Sequence, residues 1–152
     1  MIIHSFPNND EPVSAFGFDY GTQRIGVAFG QSLTGTAQRI CVLKAKDGIP
    51  DWGQIEALIS EWKPSLFVVG IPYNLDGSES ELMVRAIKFA NRLNGRFHKP
   101  SYSMDERLSS VEAAELALEE NRGAKKRAAI DDIAAQIILE NWFSELAASK
   151  KD

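Results

Sequence analysis

From Ala15 to Gly30 the large apolar residues fall on every second position. Phe16, Phe18 and Tyr20 share one face, and after Gly21-Thr22-Gln23-Arg24 the residues Ile25, Val27 and Phe29 repeat the pattern. A period of two in runs joined by a short turn predicts a β-hairpin. Gln31 to Arg39 reads as a Ser/Thr/Gly-rich connection, and Ile40 to Lys46 as a third strand closed by the turn Asp47-Gly48, so an antiparallel three-strand meander is expected. Residues 1 to 14, with two prolines and no periodicity, read as a loose N-terminal tail in which His4 has no catalytic setting.

The period then changes. Asp51 with Gln54 forms a capping box, Ile55, Leu58, Ile59 and Trp62 mark one helical stripe, and Lys63-Pro64 stops it. Leu66 to Ile71 is apolar without alternation, as in a strand buried on both faces beside the first strand. Its exit, Pro72 to Gly77, is a loop at a strand's carboxyl end, where open α/β sheets bind ligands. Ser78 with Glu81 predicts the start of a helix through Leu82, Ala86, Ala90 and Leu93 to Asn94-Gly95. Ser101 to Arg107 reads as a half-polar strand near a sheet edge, Ser109 with Glu112 as the start of another helix, and about 128 to 147 as a last helix with Ile130, Ile133, Ala134, Ile137, Ile138 and Trp142 on its apolar side. Helical crossovers make the later strands parallel. The expectation is an α/β protein: a five-stranded mixed sheet, meander plus two parallel strands, flanked by helices, in one domain over 15–148.

Composition narrows the classes. The chain has 152 residues, 44% of them hydrophobic, which suits one domain with a sizeable core. No apolar run is long enough to span a bilayer and the first residues lack signal-peptide order, so a soluble, cytoplasmic protein with no membrane partner is expected. The single cysteine, Cys41, has no partner for a disulfide and no zinc-ligand spacing around it. The net charge of −4 argues against a generally basic nucleic-acid binder. Its distribution argues otherwise: Arg85, Lys88, Arg92, Arg96 and Lys99 form a stretch without an acid, and so do Arg122, Lys125, Lys126 and Arg127. Arg85, Lys88 and Arg92 fall on one helix face, which is either solvated or a phosphate-contact surface.

Asp19 lies opposite the aromatics of its strand. An ionisable side chain there is costly unless paired, solvated or metal-bound. It reads either as a turn former or as the first ligand of a metal or phosphate site, with Gly21 giving backbone access and Thr22 a hydroxyl. Two further acidic positions are Asp105-Glu106 at the end of the last strand and Asp131-Asp132 in the first turn of the last helix, where the macrodipole alone could account for an acid. The crossovers bring the first, fourth and fifth strands side by side, so the acids converge at their carboxyl ends. Clustered carboxylates repel, and a hard divalent cation relieves them. Two such ions about 3.5 to 4 Å apart activate water and stabilise the leaving oxygen of a phosphodiester.

The element order and five motifs resemble the YqgF/RuvX family of the ribonuclease H-like superfamily. The motifs are Phe18 to Ala28 (Phe-Asp-Tyr-Gly-Thr-Gln-Arg-Ile-Gly-Val-Ala), Val69-Gly70-Ile71-Pro72 with Asp76-Gly77, Lys88 to Leu93, Asp105-Glu106-Arg107-Leu108 and Ile130 to Ala135. That family is known as a Holliday junction resolvase and as a nuclease maturing the 5′ end of pre-16S rRNA. The resemblance implies a nuclease with Asp19, Glu106 and Asp131 as metal-binding acids. Asp132 stands where a small polar residue is usual in the family, which keeps it, with Asp105, as an alternate ligand, and Tyr20 stands where Ala or Val is usual.

The expected enzyme is therefore a metal-dependent nuclease holding two Mg²⁺ or Mn²⁺ ions, with Arg24 and Arg107 assisting at the scissile phosphate. Thr22, Asn74, Arg85, Lys88, Arg92, Lys125, Lys126 and Arg127 are the expected nucleic-acid contacts. The expected substrate is structured RNA, pre-16S rRNA within ribosome biogenesis and in contact with the pre-ribosome, cut by a monomer; the alternative is branched DNA cut by a resolvase. Two other classes compete. Actin-like and sugar-kinase ATPases share the Asp-x-Gly-Thr spelling but clamp nucleotide between two such domains, and this chain has one. A non-catalytic ribosome-assembly factor would not need acids at all three positions.

Overall fold

The computed structural model describes residues 1–7, 11–72, 76, 78–105 and 127–149. Seven strands form one sheet: β1 (Ile2–Ile3), β2 (Ser14–Asp19), β3 (Arg24–Gln31), β4 (Thr36–Lys46), β5 (Ile49–Pro50), β6 (Leu66–Ile71) and β7 (Ser101–Asp105), in the order β1-β7-β6-β2-β3-β4-β5. Among the described residues three helices flank it: α1 (Trp52–Trp62), α2 (Glu81–Phe97) and α3 (Arg127–Ser149). β2, β3 and β4 are the antiparallel meander, and β2, β6 and β7 run parallel.

The count is seven strands rather than five because two-residue segments too short to show a period close both edges. Ile2–Ile3, expected in a loose tail, pair parallel with Ser101–Tyr102, and the Ile2 N–H donates to Asn91 Oδ1 of α2 at 2.6 Å. β7 is therefore not an edge strand. At the other side β5 doubles back on β4, with Ala45 opposite Pro50 and Lys46 opposite Ile49. Their two-residue turn, Asp47-Gly48, has positive φ at both positions, 51° and 81°. That is the turn whose twist matches a hairpin, and Asp-Gly is its preferred sequence. β4 also starts earlier than expected, at Thr36, because most of the polar 31–39 stretch pairs with β3 at the sheet margin.

The helix starts follow side-chain chemistry. Asp51 caps α1 by accepting from the Gly53 N–H at 2.9 Å. α2 is capped by Ser80, not Ser78: its hydroxyl oxygen accepts from the Met83 N–H at 3.0 Å while donating to the Pro72 carbonyl at 3.2 Å. α2 also runs past Asn94-Gly95 to Phe97, where His98 adopts the left-handed conformation that ends it. The helix expected after Ser109 lies outside the described residues.

The two sheet faces hold separate cores. Phe16, Phe18, Tyr20, Ile25, Val27, Val69 and Ile71 pack with Ile55 of α1 and Met83, Ala86, Phe89, Ala90 and Leu93 of α2. Ala15, Ala28, Val68, Tyr102 and Met104 pack with Ala134, Ala135, Ile138, Leu139, Trp142 and Phe143 of α3. Cys41 lies half-buried against the first core. The approach of α3 to β2 explains Gly17: a Cβ there would lie 2.8 Å from Leu139 Cβ and 2.9 Å from the Ala135 carbonyl oxygen.

Candidate active site

Asp19 is the last residue of β2, a strand with neighbours on both sides, paired with Gly26 of β3. Alternation fixes its side. Phe16 and Phe18 face α1 and α2, whereas Ala15 and Gly17 face α3, so Asp19, two residues beyond Gly17, also faces α3. It is half-buried. The direction of α3 is equally defined, since Phe143 lies against Gly30, paired with Ala15, while Leu139 and Ala135 lie against Gly17. The N-terminal end of α3 thus points along β2 toward Asp19. From Gly17 to Asp19 the strand advances about 6.6 Å, and from Ala135 back to Asp131 the helix retreats about 6 Å.

The same register places β7. Phe18 is level with Val69, and Val69 with Ser103, so the row carrying Asp19 continues to Gly70 and Met104. Met104 packs in the α3-side core. Asp105, level with Ile71, therefore belongs to the opposite side of the sheet from Asp19. Glu106 and Arg107 lie outside the described residues, as do Asn74, Lys125 and Lys126, and the side chains of Arg127, Asp131 and Asp132 are likewise not described. Among the described residues no three His, Cys, Asp or Glu side chains group to hold a metal ion. Of the three acids named by the resemblance, then, Asp19 is placed by its side chain and Asp131 by its backbone alone.

Arg24 opens β3 two residues before Gly26, the partner of Asp19, and alternation with Ile25 and Val27 turns it to the α3 side. Thr22 sits in the connection between β2 and β3, half-buried, and its carbonyl accepts from the Gly48 N–H at 2.8 Å. The Gln23 carbonyl accepts from the Ala45 N–H at 2.8 Å. The Tyr20 hydroxyl, on the other face, donates to the Gly48 carbonyl at 2.9 Å and is buried. Burial raises the Tyr20 pKa, opposed by the nearby Arg85 and Arg92 and reinforced by Asp47. Tyr20 thus fastens the loop after Asp19 to the Asp47-Gly48 turn, a role that its place in an alternating aromatic series conceals.

The basic face of α2 differs from expectation. Arg85 is paired: its Nη1 donates to Asp47 Oδ1 at 2.9 Å, and Nη2 lies 3.5 Å from Glu81 Oε1. The acid-free stretch in sequence is not acid-free in space, because Asp47 arrives from a distant turn and Glu81 lies one helical turn away. Arg96 packs over the Trp52 ring, 4.5 Å from its centroid. Lys88 and Arg92 are exposed. All belong to α2, across the sheet from α3 and the face that bears Asp19.

A sheet with an antiparallel meander continued by parallel strands, helices on both faces and an acid at the end of the first meander strand defines a protein of the ribonuclease H-like class. Its fold matches that of T. thermophilus RuvC in complex with Holliday junction substrate, with a TM-score of 0.54 and 16% identity over 90% of this chain and 97% of that one. Residues 13–145 match the model of the RuvX family, described as Holliday junction resolvase. A Pseudomonas fluorescens Pf-5 protein is 54% identical over 133 residues, 86% of this chain and 92% of its own length. A Pseudomonas aeruginosa PAO1 protein is 49% identical over 139 residues, 90% and 96% respectively. Both carry the name "Putative pre-16S rRNA nuclease". The chain belongs to the RuvX family, a family of nucleases acting on phosphodiester bonds.

Proposed function

We propose that this chain is a divalent-metal-dependent endonuclease that trims the 5′ end of pre-16S rRNA in the cytoplasm, acting as a single domain over 15–148 and as a monomer. The observation that carries the reading is Asp19: a half-buried carboxylate at the end of a central strand, on the side toward which the N-terminal end of α3 points. Asp105 belongs to the side of the sheet opposite Asp19, and this supports Glu106, the acid that the resemblance implies, over Asp105 as a ligand. Asp131 is the acid that the resemblance implies in α3, with Asp132 as its alternate.

Carboxylate oxygens without thiolates or imidazoles suit hard cations such as Mg²⁺ or Mn²⁺. Asp19, Glu106 and Asp131 would hold them. When bound, a pair of such ions supplies an activated water and neutralises charge at the leaving oxygen. The chain's own residues position the substrate. Arg24, on the Asp19 side, and Arg107 bind the scissile phosphate and hold it in line with the attacking oxygen. Thr22, in the connection after β2, and Asn74 would offer hydrogen bonds to the substrate. Lys88 and Arg92, with Lys125, Lys126 and Arg127, supply longer-range phosphate contacts.

RNA is favoured over branched DNA on two grounds. Relatives near half identity carry the pre-16S rRNA name. Resolving a four-way junction needs two symmetric cuts and hence a stable two-fold dimer, whereas two of the large aromatics suited to anchoring one are used internally, Trp142 fully buried and Trp62 packed on Phe29 at 5.0 Å. The test is to offer purified protein a precursor bearing the 16S 5′ end and, separately, a four-way DNA junction, both with Mg²⁺. Single cuts in the precursor are expected. Paired symmetric nicks in the junction by a tight dimer, with the precursor intact, would overturn the substrate assignment.

A further inference from the structure

The loop between Asp19 and Arg24 is not held by its own hairpin alone. Three hydrogen bonds tie it to the tip of the next one: Gly48 N–H to the Thr22 carbonyl at 2.8 Å, Ala45 N–H to the Gln23 carbonyl at 2.8 Å, and Tyr20 hydroxyl to the Gly48 carbonyl at 2.9 Å. Gly48 both gives and takes, so one residue locks two points of the loop. It has to be glycine twice over. Its φ of 81° is left-handed, and a Cβ there would fall 2.1 Å from the Tyr20 hydroxyl oxygen. Asp47, beside it in the same turn, carries the arrangement outward through the 2.9 Å bond from Arg85 Nη1, so the turn is anchored to α2 as well. The Tyr20 ring is seated on Phe89 of α2 at a centroid distance of 5.0 Å.

We propose that Tyr20, Gly48, Asp47 and Arg85 form a positioning clamp that holds the Asp19–Arg24 loop, fixing Thr22 and Arg24 relative to Asp19. This rests on the nuclease reading for its consequence, though not for its structure. It reassigns Arg85. Its guanidinium is committed to Asp47 and Glu81, so Arg85 acts through the turn rather than on a phosphate. The clamp is polar and buried at its inner end, where the Tyr20–Gly48 bond lies, and solvated at its outer end, where the Arg85 and Asp47 side chains are 34% and 81% exposed. The inner bond therefore matters more than the outer pair, since exposed ion pairs are screened.

The test combines kinetics with a readout that needs no activity. Tyr20→Phe keeps the ring on Phe89 and removes the hydroxyl alone. It should lower kcat by about fivefold, the size of one lost hydrogen bond, and leave KM unchanged. Asp47→Asn keeps a side chain that tolerates positive φ and removes the charge. Arg85→Met keeps the stem. In a double-mutant cycle these two should be coupled, the pair being no worse than either alone. In hydrogen exchange, the Gly48 and Ala45 amides should be faster in Tyr20→Phe and Asp47→Asn than in the parent. Additive losses, or a raised KM together with a shallower salt dependence in Arg85→Met, would make Arg85 a substrate contact and overturn the clamp, as would unchanged amide exchange in Tyr20→Phe. If the parent protein cuts no nucleic acid, the nuclease reading fails by itself, and the exchange experiment still decides the clamp.

Discussion

Asp19 follows Ala15 and Gly17 on the strand face that α3 approaches, and it ends that strand half-buried. The place of this acid was legible in the sequence, because alternation with Phe16 and Phe18 forces it to the far side. What Tyr20 does was not legible. Its hydroxyl finds Gly48, a residue 28 positions away, and no local pattern announces that bond. Burial raises the pKa of both Tyr20 and Tyr102 above the ordinary value. Each hydroxyl therefore keeps its proton longer in the folded chain than in the unfolded one. The associated stability is complete below pH 10, the ordinary tyrosine value, and is lost as pH rises through the folded-state pKa values. Tyr102→Phe should make the fall in stability above pH 10 shallower, as read by denaturant midpoints across an alkaline series.

At the level of elements, α3 is the part that couples core to site, since one apolar stripe lies across β2, β3 and β4 while the helix's first turns extend toward Asp19. The stripe was plain in the sequence: Ala134, Ile138 and Trp142 are fully buried where the period of 3.6 placed them. Gly17→Ala tests this packing. The added methyl meets Leu139 Cβ and the Ala135 backbone, neither able to rotate away, so a loss of about 1–3 kcal/mol is expected, seen as a lower denaturation midpoint. An unchanged midpoint would mean that α3 does not sit as close to β2 as the 2.8 Å and 2.9 Å approaches at Gly17 require. Short elements were illegible for a physical reason. β1 and β5 have two residues each, too few for any period, and are made by backbone pairing with strands already formed. α2 is capped two residues later than Ser78 because Ser78 and Ser80 are both competent caps. The contact of Ser80 with Pro72 at the end of β6 selects between them.

Over the whole molecule the sheet separates two kinds of surface, with Asp19 on the α3 side and the basic residues of α2 on the other. The charge pattern revealed the basic face but not its internal pairing, because Asp47 reaches Arg85 across 38 positions. Lys88→Ala and Arg92→Ala should each reduce the slope of log affinity against log salt by about one unit, whereas an Arg85 change should leave the slope alone. A face that is only solvated would show no slope change for any of the three. Divalent metal that binds the folded state alone should also raise its stability with concentration, and in Asp19→Asn that gain should shrink. Whether Asp19 anchors a metal-dependent nuclease is decided by cleavage of a 16S precursor RNA by parent and Asp19→Asn proteins across a Mg²⁺ titration. Mg²⁺-dependent cutting by the parent and none by the variant is expected, with both equally folded by circular dichroism. Near-parental cleavage by Asp19→Asn, or cutting that persists in excess chelator, would contradict that role.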